Sequence, residues 1–359
     1  MDLLNDTHAG KFIPHSRPTL GADEIRLVSK VIGSGHIAQG EAVERFERSL
    51  AGKTGTMGGV ACSSGTAALH LVLLAMGVGA GDEVIIPSYV CSALLNAVCY
   101  VGATPVLAEA APHTCNIDPE DVRKRVGPRT RAVIAPHLFG MPADMDRLVS
   151  LGVPVIEDCA QAVGAKSKGE TVGGLGHAAV FSFYATKVIT TGEGGMVLSN
   201  SRDLLDRIRD LREYDQKGGQ GVRYNYKMTD IQAAMGIVQL ERLQDFISKR
   251  RSVAERYHKG LEALPFDLPP RDSGHIYYRY VLGLEKDSGP LINAMSKKGI
   301  ECARPVYMPL HRYLKTGEDY PVTEKLWNGS LSLPIYPALT KEQADRIVDA
   351  VLDLAGGEA

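Results

Sequence analysis

Between Gly58 and Asn200 the chain alternates short apolar runs with segments of helical period. Seven runs have strand length: GVACSS, EVIIPS, TPVLAEA, RAVIAPHLF, VPVIED, AAVFSFY and GGMVLSN. Continuous apolar runs, as opposed to strict alternation, mark strands covered on both faces. Helix-patterned segments such as Ala67 to Met76 and Asp118 to Val126 lie between the first four. That order predicts an α/β fold with a seven-stranded, mainly parallel sheet and helices on both sides. The last two connections are short or irregular, so part of the sheet is expected to be antiparallel.

After Asn200 the strand-like runs stop. A helical pattern from about Thr229 to Leu264 keeps Ile231, Ala234, Val238, Leu243 and Phe246 on or near one stripe, and reads as a bridge between two domains. PFDLPP and the strand-like IYYRYVLGLE then open a smaller C-terminal α+β unit, which the helix-patterned KEQADRIVDAVLDL closes. The predicted division is a large domain over residues 1–245 and a small one over 246–359. A length of 359 residues suits two domains, and the final AGGEA reads as a frayed tail.

Charge and cysteines narrow the classes of function. Lys and Arg total 40 against 42 Asp and Glu, so no molecule-wide field gathers polyanions, and nucleic acid is not an expected partner. The six cysteines contain no C-x-x-C pair and sit mostly in apolar runs, as reduced thiols do, which excludes a zinc ribbon or a disulfide scaffold. MDLLNDTHAGKF has neither a basic n-region nor an apolar core of secretory length, and a cytoplasmic protein is expected. Val60 to Ala80 carries no Asp, Glu, Lys or Arg, but Ser63-Ser64-Gly65-Thr66 breaks it and the remainder is too short for a bilayer. A buried helix, with no membrane contact, is the expectation there. VIGSGHIAQG and GGLGHAA lack the strand, turn and helix order of a dinucleotide loop, and GKTG is too short for a Walker A loop, so all three read as turns.

Three positions carry chemistry. Ser64-Gly65-Thr66 follows the first strand and opens a helix, which aims free N–H groups and a hydroxyl at an anion; the same tripeptide also fits an ordinary N-cap. Asp158 ends VPVIE, where the carboxyl ends of parallel strands face a ligand crevice. Glu157 beside it points to the opposite face, so at most one of the two acids faces the crevice; Asp158 alone also fits a turn cap. Lys187 lies between AAVFSFYAT and TTGEGG, on a loop where a partly buried lysine can act as an amine nucleophile, or simply snorkel to the surface. Thr190, Thr191 and the glycines Gly192, Gly194 and Gly195 supply a tight loop. Together the three positions offer partners for the phosphate, the ring nitrogen and the aldehyde of pyridoxal 5'-phosphate (PLP).

With these residues the chain resembles the PLP-dependent nucleotide-sugar aminotransferases of the DegT/DnrJ/StrS group, of fold type I. The resemblance runs from Phe12 to Ile347 through an ordered set of motifs: VIGSGHIAQG, FERSLAGKTG, SSGTAALHLVLLAMGVGAGDEVIIPSYV, ATPVLAE, PHLFGMPADMD, VIEDCAQAVGA, FSFYATKVITTGEGGMV, YNYKMTDIQAAMGIVQLERL and SLSLPIYPALT. It implies that residues 1–245 bind the cofactor, with Lys187 as the Schiff-base lysine, Asp158 as partner of the ring nitrogen, and Gln161 by the ring hydroxyl and face. Gly65, Thr66 and Ser182 resemble phosphate ligands, and Asn225 resembles the asparagine that reaches the phosphate of the neighbouring subunit. The implied activity moves an amino group, from glutamate, to a keto group of a nucleotide-linked sugar, in a homodimer with shared sites. Relatives that dehydrate sugars carry histidine in place of this lysine, so Lys187 favours transamination.

Some positions depart from that pattern. Cys91 stands where relatives place an aromatic ring over the cofactor, and Tyr89, on the same face of an extended segment, is the nearest ring and a substitute for it. Lys227, Ala185 and Val188 stand where Arg, Pro and Asn are common. These changes admit a non-nucleotide cyclic ketone, a cyclitol or an aminoshikimate-type precursor, as substrate; a non-catalytic PLP-binding regulator is the remaining alternative. His137, His275, Arg304 and His311 lie where relatives line the substrate site, though each also fits a hydrogen-bonded structural role. His70, within ALHLVLL, reads as a satisfied core histidine.

Overall fold

The seven apolar runs form one sheet. The computed structural model describes residues 12–215, 217–219 and 221–356; the start of the chain and the end of the AGGEA tail lie outside the described residues. The strands are β1 (Gly58–Cys62), β2 (Glu83–Pro87), β3 (Thr104–Ala108), β4 (Thr130–Pro136), β5 (Val155–Asp158), a separate hairpin of β6 (Lys166–Ser167) and β7 (Glu170–Thr171), β8 (Ala178–Ser182) and β9 (Gly195–Ser199). The sheet order is β1-β9-β8-β5-β4-β2-β3. All neighbours pair in parallel except β9, which is antiparallel to both β8 and β1. β9 returns directly after β8 without a crossover helix, which requires the reversed direction.

Two consequences position the site. β1, β5 and β8 all run the same way, so their carboxyl ends share one edge of the sheet, where a doubly wound fold opens its crevice. Alternate residues also serve opposite cores: Val60, Ile156, Val180 and Val197 pack on one face, while Ala61, Ala179, Phe181 and Met196 pack on the other. The Gly65–Ala75 helix is buried along nearly its whole length, as the charge-free run after Val60 predicted. Among the described residues no helix is long and apolar enough to cross a membrane.

The bridging pattern resolves into two helices, Asp230–Glu241 and Leu243–Leu261, which meet at Arg242. Thr229 and Gln232 form a capping box that starts the first. Leu243, Phe246 and Ile247 pack with the sheet, whereas Val253, Ala254 and Tyr257 join a second core with the antiparallel pair β10 (Tyr280–Gly283) and β11 (Ser330–Leu333). The handover between cores therefore falls inside the second helix. Of the run IYYRYVLGLE only the second half is strand, because Tyr277 adopts a left-handed φ of 49° that an extended strand cannot hold. Ile13 belongs to the small core too, bridging to Ile300 across 287 positions that carry no periodic signal linking them.

Candidate active site

At the strand-end edge the first element is the turn after β1. Ser64 caps the Gly65–Ala75 helix by accepting from the Ala67 N–H at 3.1 Å, and the N–H groups of Gly65 and Thr66, one residue into the helix, have no intrahelical acceptor. A Cβ at Gly65 would stand 2.8 Å from the Ser182 Cβ, and one at Gly195 would stand 2.2 Å from the Ser64 carbonyl oxygen. The two glycines let β8 and β9 come up against the helix start, and that closeness sets Ser182 Oγ beside the free N–H groups. Ser63 to Thr66 remain partly open to solvent.

Asp158 is 8% exposed at the end of β5. Its Oδ1 accepts from the Ala160 N–H at 3.0 Å, and no side chain forms an ion pair or hydrogen bond with the carboxylate among the described residues. Burial pushes its pKa up, against the pull of the Ala160 N–H and of the Lys187 charge. A nearly buried carboxylate with one oxygen unpartnered is costly unless a cationic donor completes it. A protonated pyridine ring fits that requirement, as the helix start and Ser182 fit a phosphate.

Glu157 takes the opposite face, as strand alternation predicted. It is fully buried and accepts from four donors: His137 Nε2 at 3.1 Å and the N–H groups of Gly173, Leu175 and Gly176, each at 2.8 Å. Burial pushes its pKa up, but these donors outweigh it and hold the carboxyl below the usual range. Folding therefore gains stability from Glu157 above the unfolded carboxylate pKa of about 4.3, and loses it as pH falls through the lower folded value. Glu157→Ala is expected to cost about 3–5 kcal/mol by orphaning buried donors. Urea unfolding from pH 7 down to pH 3 checks both points, because Glu157→Gln should approach wild type only at the acid end.

Lys187 lies on the loop between β8 and β9, its N–H donating to Tyr184 at 2.9 Å. Its Nζ stands 5.5 Å from the centroid of the Tyr278 ring. Its charge acts on Asp158, on Cys91 and on Tyr278, which gathers all four residues at one place. Cys91 is exposed to the crevice there, with its thiol pushed up by burial of the surrounding site. Gln161 Oε1 accepts from Phe139 N–H at 2.8 Å and holds the left-handed turn at Phe139 and Gly140 against this edge.

Several expectations need correction. Tyr89 is fully buried and donates to Ser330 Oγ at 3.0 Å, so it presents no surface to the crevice. β2 ends at Pro87, and the face-sharing of Tyr89 with Cys91 assumed an extended segment that the chain leaves there. His137 does not line a pocket: Ala143 N–H donates to its Nδ1 at 2.9 Å, which leaves Nε2 to donate to Glu157. His137, Glu157 and Cys159 cluster within ligand distance of one another, and His137 and Glu157 already find hydrogen-bond partners in this network. His275 is buried and stacked on Tyr277, its pKa lowered to about 4 by burial, and its Nδ1 accepts from the Tyr277 N–H. His311 is tied to Ser88 and Glu324, and Arg304 to Asp287 and the Trp327 ring. His70 is in the core, but only Nδ1 has a partner, the Tyr226 hydroxyl at 3.3 Å.

Asn225 is exposed. The N–H groups of Tyr224 and Tyr226 on either side donate to Leu211 and Arg212, and the Tyr226 carbonyl accepts from Ser63 at 2.7 Å, so its backbone is fixed beside the phosphate seat. The pattern did not single out Tyr278, Arg279, Arg250 and Thr186. Tyr278 is 5% exposed, hydrogen-bonded to Thr186 and flanked by the three cations Lys187, Arg279 and Arg250. Burial opposes ionisation of its phenol, but those charges prevail and bring it down to about 8. The only sequence signal was the IYYRY run, which read as strand.

The model of the DegT/DnrJ/EryC1/StrS aminotransferase family matches residues 18–352. A GDP-perosamine synthase of Escherichia coli O157:H7 is 36% identical over 358 residues, covering 95% of this chain and 98% of that protein. Among solved structures, the aminotransferase TlmJ from Streptoalloteichus hindustanus superimposes with a TM-score of 0.91 at 32% identity, covering 97% of this chain and 100% of that one. The PLP form of a sugar aminotransferase described as putative, Spr1654 from Streptococcus pneumoniae, gives 0.92 at 26% identity over 97% of this chain and 100% of its own.

Proposed function

From the premise that the chain belongs to the DegT/DnrJ/EryC1/StrS aminotransferase family and is a PLP-dependent transaminase, we propose that it moves an amino group from glutamate to a keto group of a nucleotide-linked sugar, as a cytoplasmic homodimer. The observation that carries this reading is the meeting of an open helix start, a carboxylate with an unpartnered oxygen and an amine at one strand-end edge. The perosamine synthase relative favours a nucleotide sugar over a free cyclic ketone.

When bound, PLP supplies an aldehyde that links to amines and a ring that accepts electrons. The N–H groups of Gly65 and Thr66 with Ser182 Oγ bind the phosphate, and Asn225 of the partner subunit completes that seat. Asp158 would accept from a protonated ring nitrogen and favour its charged form. Gln161 holds the turn that borders the ring. With a substrate in place, the Lys187 amine would take the proton from the substrate carbon and return it to the product. The Tyr278 ring face lies next to that ammonium.

A fall in visible absorbance of the loaded enzyme on adding L-glutamate, restored by a keto sugar nucleotide, tests the reaction. No change with any amino acid would refute it. Asp158→Asn keeps the shape and loses the charge. Its turnover is expected to fall about a hundredfold, the scale of a misplaced proton, with a smaller loss of cofactor affinity. A parent-like kcat would make Asp158 a turn cap only.

A further inference from the structure

Arg279 differs from the other shielded arginines of this chain. Arg125, Arg212, Arg223, Arg242 and Arg304 each pair with a carboxylate, and the buried Arg250 donates to main-chain carbonyls. Arg279 is half-buried, and among the described residues its guanidinium meets the Tyr278 ring, 4.8 Å from its centroid, and makes a long 3.5 Å contact to the Tyr278 hydroxyl, with no carboxylate paired to it. Its backbone is fixed by donation to the Phe139 carbonyl at 3.2 Å, on the turn that Gln161 holds. Arg279 also lines, with Phe139, Met141 and Asp267, a cleft of about 280 Å³.

The surroundings add to the imbalance. Lys187 Nζ and the Arg279 guanidinium sit around one phenol ring, so the two charges are no farther apart than the sum of their distances to it. Arg250, fully buried, adds a third positive group. Asp158 is the acid that acts on Lys187, and no acid pairs with Arg279 among the described residues. A guanidinium held rigid, shielded and without a counter-ion is a fork for planar anionic oxygens.

We propose that Arg279 binds a carboxylate of the amino donor, fixing an amino acid whose nitrogen is presented at Lys187. This rests on the reading that the donor is glutamate. A donor that brings its amine to Lys187 carries its carboxylates within the span between the two cations, and a bidentate pair there orients the carbon that loses its proton.

The test separates donor from acceptor. In the loaded enzyme, binding of glutarate, a dicarboxylate with no amine to react, is measured by calorimetry beside binding of GDP, UDP and dTDP. Arg279→Gln is expected to raise the glutarate Kd and the KM for L-glutamate about thirtyfold, the scale of a charge-assisted bidentate pair. Arg279→Lys should recover part of the loss, and nucleoside diphosphate binding should not change. Weakened diphosphate binding with glutarate unaffected would assign Arg279 to the acceptor and overturn the proposal. So would no change in either. A wild-type enzyme that reacts with other amino acids and neither reacts with L-glutamate nor binds glutarate would remove the donor reading itself, a result distinct from an unaffected Arg279→Gln.

Discussion

Replacing Lys187 with alanine is expected to lower transamination at least about a thousandfold, the loss of a proton-transferring group and nucleophile together, while the protein folds and still holds PLP. The structure separates these outcomes. The Lys187 N–H bond to Tyr184 is backbone and survives the substitution, and among the described residues Nζ makes no hydrogen bond beyond facing the Tyr278 ring. Losing that contact costs about 1 kcal/mol, a few degrees at most in a chain of this size. On the proposed reading the phosphate seat is Gly65, Thr66 and Ser182 and the acid for the ring is Asp158, so cofactor affinity should have supports that do not pass through the lysine. Melting temperature, equilibrium PLP binding and turnover with L-glutamate read the three outcomes separately. A small added amine such as methylamine should restore some proton transfer. Substantial turnover with no amine added would place the nucleophile elsewhere.

What could be read from the chain and what could not divides along the range of the interactions. The sheet was legible because each of its strands is covered on both faces and so appears as an unbroken apolar run, and Ser64, Asp158 and Lys187 were legible because each sits where such a run stops. An antiparallel member could be expected because the last connections are short or irregular, and β9, which follows β8 through a loop with no helix, is that member. The second half of the molecule gave less. The packing of Ile13 against Ile300 has no local pattern, and the left-handed Tyr277 hides inside a run that reads as strand. Tyr89 misled for a related reason: alternation assigns faces only while a chain stays extended, and β2 stops two residues earlier. His137 misled because an imidazole near a strand end is equally suited to substrate contact and to holding a neighbour. Only the positions of Ala143 N–H and Glu157 decide between them. Arg279 could not be found in the sequence at all, since what marks it is the lack of an acid in space.

The largest gain of function should come from mixing two inactive variants. In the proposed homodimer, Asn225→Asp sets a negative charge where the asparagine amide would meet the phosphate, and Lys187→Ala removes the nucleophile; each variant alone should be disabled. Asn225 is exposed on a backbone pinned by Leu211, Arg212 and Ser63, and its neighbours Tyr224 and Tyr226 stack on each other at 5.1 Å and pack against the sheet's core. Asn225, exposed between those packed rings, is open to solvent. If the homodimer shares its sites, each pairs Lys187 of one chain with Asn225 of the other. A heterodimer of the two variants then collects both lesions in one site and leaves the second site native. Random exchange makes half the dimers mixed, so activity should rise from near zero to at most about a quarter of wild type for a two-fold dimer. The check is turnover against time after mixing, with mixed dimers quantified by tagged subunits. If Asn225 serves its own chain, every site in a mixed dimer keeps one lesion, and activity stays at the level of the parents although mixed dimers are present.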